Sequence, residues 1–273
     1  MGSGVVAASL PLAGRELTRV WQSEALMDKP ESALFCADSE RVFVSNISGD
    51  YFALDGTGFI STVALDGSIL QLHWFFGGLN NPQGLALHEG LLYVADLTRV
   101  ICINTQDGSL ERIIAIEGSE FINDLSADAN GDIYASDCKR NRIYRIREGV
   151  PTLWLEADAM NGINGILCEE SRLLFINFTD GRLYAVNKAT QEISMLCEGI
   201  ANGDGITSDG AQGYFVSGAW QGEVFHINAS GQKQLVLDLG TEGHIAADLT
   251  YLSESQLLLI PTLYQSLLAY RWQ

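Results

Sequence analysis

Six segments of the 273-residue chain begin in the same way, and five of their six leading residues carry side-chain oxygen. The leaders are Glu31, Gln83, Asn123, Asn164 and Asp204, with Ala247 the sixth. Each precedes a small or polar residue and then alternating apolar ones, as in Gln83-Gly84-Leu85-Ala86 and Asp204-Gly205-Ile206-Thr207. If the six positions meet in one narrow, apolar-walled space, Glu31 and Asp204 repel each other and both lose hydration. A divalent cation relieves both costs, and Asn164 and Gln83 can add neutral oxygen to the two carboxylates. No cysteine or histidine occupies the six positions, so zinc is disfavoured and Ca²⁺, Mg²⁺ or Mn²⁺ is favoured, Ca²⁺ foremost. Few protein donors leave room for water and substrate, as metal-assisted hydrolysis requires.

The spacing says what must bring these residues together. The leaders stand 52, 40, 41, 40 and 43 residues apart. A second pattern follows each first one, in Phe43-Val44-Ser45-Asn46, Tyr93-Val94-Ala95-Asp96, Tyr134-Ala135-Ser136-Asp137 and three further copies at Phe175, Phe215 and Leu259. Its intervals are 50, 41, 41, 40 and 44 residues, so two patterns keep one register. Third strands are expected at Arg142–Ile146, Arg182–Val186 and Glu223–Ile227. Turns follow at Asp66-Gly67, Asp107-Gly108, Glu148-Gly149 and Ser230-Gly231, and then fourth strands such as Leu110–Ile116 and Gln234–Leu239. Four strands in about forty residues make a propeller blade. The fold predicted is an all-β, six-bladed β-propeller over residues 15–273, after a flexible segment at 1–14. The sixth unit ends on its third strand, Leu267–Trp272, and Leu17–Gln22 is predicted to supply the missing fourth, closing the ring. The first strand of each blade lines the central channel, so the six leaders form one polar ring.

The first interval is twelve residues longer than the second, and the excess falls around Ile47–Thr57, between strands two and three of the first blade. That loop lies on the face where the inner strands begin. It is expected to lean over the mouth and bring Tyr51 to it. His244, just ahead of Ile245-Ala246-Ala247, is a further candidate for the pocket, with packing or capping as its plainer role. No Ser-His-Asp order, phosphate-binding loop or dinucleotide fingerprint is present.

Composition sets outer bounds. Hydrophobic residues make up 47% of the chain, and 28 glycines against five prolines suit many short strands joined by tight turns. Lys and Arg total 16 against 34 Asp and Glu, a formal charge of −18. Such a surface repels nucleic acid and anionic membrane and attracts cations. No apolar run reaches the roughly 20 residues of a membrane helix. A soluble protein is expected, cytoplasmic or periplasmic, with its oligomeric state open. The five cysteines lack CxxC spacing, and Cys36, Cys102 and Cys168 in apolar stretches read as buried free thiols.

At Phe121-Ile122-Asn123-Asp124, Asn164-Gly165-Ile166 and Gly203-Asp204-Gly205-Ile206 the chain resembles the gluconolactonase, regucalcin and luciferin-regenerating enzyme family. The resemblance spans roughly residues 16–272. It implies divalent-metal-dependent hydrolysis of a lactone, with Glu31, Asn164 and Asp204 as metal ligands and Asn123 touching substrate or a metal-bound water. Asp204 would then be the general base and Glu31 the alternative. Asp124 would steady Asn123, and Phe121 and Tyr51 would supply an apolar wall. The family's usual Glu-Gly-Pro reads Pro30-Glu31-Ser32 here, and Phe121 stands where sugar-lactone members often carry Arg. Loss of that guanidinium points toward a more apolar lactone or ester. Two other classes compete: a propeller that binds metal or a small molecule without turnover, and an interaction scaffold of the NHL kind.

Overall fold

The computed structural model describes residues 15–273; the segment 1–14, expected to be flexible, lies outside them. Among the described residues twenty-four strands form six four-stranded antiparallel sheets. The first blade runs Pro30–Cys36, Arg41–Asn46, Gly58–Val63 and Ile69–Leu79 from the axis outward. The next four repeat the order, with inner strands Pro82–His88, Ile122–Ala127, Ile163–Cys168 and Gly203–Ser208. Each inner strand packs against the next, and the sixth, Thr250–Leu252, comes back to the first. The propeller is therefore closed and has six blades, as the double register predicts.

Closure uses the predicted strand. Leu17–Gln22 pairs with Leu267–Trp272 as the outermost strand of the last blade, with Leu17 opposite Trp272 and Gln22 opposite Leu268. Leu17 and Trp21 also reach separate apolar clusters, one around Trp272 and Tyr270, the other around Val42 and Leu259. The Trp21 indole donates to the carbonyl of Leu65 at 2.8 Å, so this strand fastens to the first blade as well as the last. The core is six apolar clusters, each lying between or within neighbouring blades.

Two local devices aim residues at the axis. In the first five blades the pairing of inner and second strand shifts register at the leader positions, between Pro30 and Ala33, Pro82 and Leu85, Ile122 and Leu125, Ile163 and Ile166, and Gly203 and Ile206. Such a bulge turns side chains off the sheet's alternation and leaves an N–H without a ladder partner. In alternate blades a serine of the second pattern takes that N–H: Ser45 from Ser32 at 3.0 Å, Ser136 from Asp124 at 2.9 Å, Ser217 from Gly205 at 2.8 Å. Glycine at Gly84, Gly165 and Gly205 serves close approach. A Cβ at Gly165 would overlap the carbonyl oxygen of Asp204 in the next blade.

The inserted connection occupies residues 47–57, as expected, and the long outer strand Ile69–Leu79 takes up the rest of the excess. All five cysteines are free; Cys36 and Cys102 are buried as expected. Cys168 corrects the expectation: it is half-buried, near the exposed end of its inner strand, and its sulfur accepts from the Lys188 ammonium at 3.5 Å. Among the described residues no helix is long and apolar enough to cross a membrane.

Candidate functional site

The bulged inner strands bring the leaders to the mouth of the channel. Glu31, Gln83, Asn123, Asn164 and Asp204 are all buried, each less than one-tenth exposed. Two of their oxygens are buried without any hydrogen-bond partner, Glu31 Oε2 and Asn164 Oδ1. Buried polar atoms are nearly always paired, so two orphans in one ring mark an incomplete site.

Electrostatics point the same way. Burial holds the Glu31 carboxyl well above the usual range, and the charges of Asp204, Asp248 and Asp124 raise it further. Asp204 is pushed up to about 8 by burial and then by Asp248, with the Asn164 amide partly offsetting the rise. The residues present therefore fit a divalent cation: two crowded carboxylates and an amide oxygen, two of these groups with an empty valence. Among the described residues no three His, Cys, Asp or Glu side chains are grouped closely enough to share one ion. Any cation here thus depends on Asn164 as well as the two acids.

Asp248 escaped the sequence reading. Ala247, fully buried, was the sixth leader, but the acid beside it carries the charge. Asp248 is half-buried, accepts a 2.6 Å hydrogen bond from the Ser32 hydroxyl, and is pushed up to about 6 by burial against that bond and one from the Leu249 N–H. The signal lay one residue along: the followers read Ser32, Gly84, Asp124, Gly165, Gly205 and Asp248, with acids in blades three and six. These two face each other across the ring, one layer below the leaders. A cavity of about 360 Å³ opens to them from the opposite face, between Leu34, Leu85, Leu125 and Tyr251.

Asp124 does not steady Asn123, contrary to expectation. Its oxygens accept the backbone N–H groups of Leu125 and Ile166, each at 2.7 Å, so it ties the third inner strand to the fourth. Asn123 is held from the other side. Its amide donates to Gln83 Oε1 at 3.4 Å, the Gln83 amide donates to Asn81 Oδ1, and the Asn81 amide donates to the carbonyl of Tyr51. Three side-chain amides in line thus join the ring to the inserted loop.

That loop does lean over the mouth. The Tyr51 hydroxyl is raised by burial and by the charges of Glu31 and Asp204. The next residue, Phe52, crosses to the third blade and meets Phe121 with ring centroids 5.5 Å apart. Phe121 is buried, its N–H held by Asp137 at 3.1 Å. Neighbouring Cys138 is no nucleophile at neutral pH, since burial and Asp137 push its thiol up to about 12. The His244 ring lies 6.4 Å from that of Tyr264, it makes no side-chain hydrogen bond, and its Nδ1 is a buried orphan.

No family model and no curated protein matches the chain. Solved structures do. Virginiamycin B lyase from Staphylococcus aureus is similar over 94% of this chain and 99% of its own, with a TM-score of 0.69 at 13% identity. A protein described as a candidate gluconolactonase is similar over 96% and 93%, with a TM-score of 0.69 at 16% identity. A chain of a nidogen–laminin complex is similar over 76% and 87%, with a TM-score of 0.63 at 12% identity. At such identities the likeness shows the six-bladed propeller, a fold shared by enzymes and binding proteins alike.

Proposed function

We propose that the chain is a divalent-metal-dependent hydrolase of a lactone or related ester, acting at the mouth of the channel. The observation that carries this reading is the pair of orphaned oxygens on Glu31 and Asn164 beside the buried carboxyl of Asp204. A ring that only packs would have no reason to leave two such oxygens unpaired beside a third buried polar group. Glu31, Asn164 and Asp204 would hold the cation, and an all-oxygen set favours Ca²⁺. A cation bound there supplies Lewis acidity to a carbonyl oxygen.

The chain's own residues do the rest. Asp204 takes the proton of the attacking water and returns it to the leaving oxygen as the acyl C–O bond breaks, and Glu31 is the second carboxylate within the same ring. Asn123 orients the carbonyl through its amide, which Gln83 keeps from rotating. Phe121 and the inserted loop limit the access of bulk water. The candidate gluconolactonase among the structural neighbours agrees with this chemistry without carrying it.

A panel of lactones and aryl esters, assayed with Ca²⁺, Mg²⁺ and Mn²⁺ and after chelation, tests the reading. Turnover that depends on the added cation is expected. Hydrolysis unaffected by chelation would overturn it. Cation binding without turnover of any substrate would leave a binding propeller instead.

A further inference from the structure

We propose that the inserted loop of the first blade makes the mouth selective for a flat, apolar acyl or leaving group, with Phe52 as the residue that grips it. This rests on the hydrolase reading of the ring beneath. Four aromatic residues of the described chain are exposed: Phe52, Phe76, Trp220 and Tyr264. All four lie where second strands end, third strands begin or fourth strands finish, which is the face of the mouth. The turns of the opposite face carry none of them. Solvent-facing loops ordinarily avoid large aromatics, and a one-sided set marks a contact surface.

Phe52 is the member tied to the site. One side of its ring meets Phe121, and the Lys139 ammonium lies 4.0 Å from its centroid. Its neighbour Tyr51 is held likewise, with the Lys29 ammonium 5.5 Å from that ring and donating to the Gly49 carbonyl at 2.7 Å. The loop is thus clasped at two places, and Phe52 is fixed without being covered, 59% of it remaining open. A side chain already ordered loses little freedom when a ligand lands on it. Phe121 stands two residues before Asn123, so the Phe52–Phe121 contact lies on the blade that carries the orienting amide. A planar hydrocarbon held there stacks on the ring. A polyhydroxylated ring placed there leaves its hydroxyls facing Phe52 and Phe121 without partners.

The test uses the full chain with Ca²⁺ and three lactones: dihydrocoumarin, δ-valerolactone and glucono-1,5-lactone. Wild type is expected to turn over dihydrocoumarin best and gluconolactone least. In Phe52→Ala the ratio of kcat/KM for dihydrocoumarin over δ-valerolactone should fall about tenfold, through KM, and Phe52→Trp should retain it. An unchanged ratio in a Phe52→Ala protein of wild-type melting temperature would overturn the inference, as would a preference for gluconolactone. If no lactone is hydrolysed, the hydrolase reading fails and the grip is read from coumarin binding by calorimetry. Binding weakened in Phe52→Ala then supports the grip, and no binding to wild type overturns it.

Discussion

The backbone N–H of Asp248 donates to the carbonyl oxygen of Glu31 at 3.1 Å, so the seam where the ring closes runs through the candidate metal site. Ser32 reinforces the junction from its hydroxyl. The charge of Asp248 also raises Glu31 and Asp204, which makes closure and ligation interdependent.

Asp248→Asn should therefore stabilise the cation-free protein at pH 8. The folded-state carboxyl titrates near 6, above its unfolded value of 3.8, so stability falls as pH rises from about 4 to about 6 and the full cost of the ionised form is present at pH 8. A gain of roughly 2 kcal/mol is expected in urea unfolding, because an amide keeps the Ser32 bond without the charge. Calcium affinity should fall in the same variant.

Calcium should raise the melting temperature more at pH 8 than at pH 5.5. Without the cation, Asp204 titrates near 8 in the folded chain, so the native state binds more protons than the unfolded one across roughly pH 4 to 8. Stability then falls as pH rises through that window. A cation competes with those protons, so its advantage grows over the same range. Differential scanning calorimetry with and without Ca²⁺ at the two values checks this.

Asn123→Ala and Glu31→Ala should fail differently. Asn123→Ala should bind calcium by calorimetry yet lose about 10²-fold in kcat, since it removes an orienting group and no ligand. Glu31→Ala should lose both binding and turnover. If Asn123→Ala also lost the cation, Asn123 would be a ligand and the assignment of roles would change.

Trp21→Ala should cost about 2–3 kcal/mol of stability, by lost burial and by the loss of the indole bond to Leu65. Unfolding monitored by fluorescence and by circular dichroism should remain one transition.

The repeat was legible because alternation and spacing agreed in two patterns, and the closing strand because the sixth unit lacked one. The leaders were legible for the same reason. Asp248 was not, because its blade has an inner strand of only three residues, Thr250–Leu252, too short to show alternation, and Ala247 filled the expected position. Nor was the duty of Asp124, since its partner is the Ile166 N–H, which only the ring brings near. The Asn164-Gly165 and Asp204-Gly205 pairs read in sequence only as the polar start of an inner strand. Their glycines clear space for a neighbouring backbone or acid, a demand that arises only once six strands converge. The path of Phe52 across two blades depends on the clasping lysines, Lys29 and Lys139, which no local pattern couples to it.

Leu17 faces Trp272. A strand that precedes the other strands of the ring thus waits for one in the last blade, and its apolar residues have no lasting partner in the interval. Each of the first five blades can gather locally as it emerges, but the loop that joins Leu17 to Trp272 closes late and at high entropic cost. A ribosome stalled in the sixth repeat would hold a chain with five formed sheets and two unmatched edges. Such an intermediate is the form a chaperone or protease would meet, and the finished ring, once latched, offers only the outer edge of each blade.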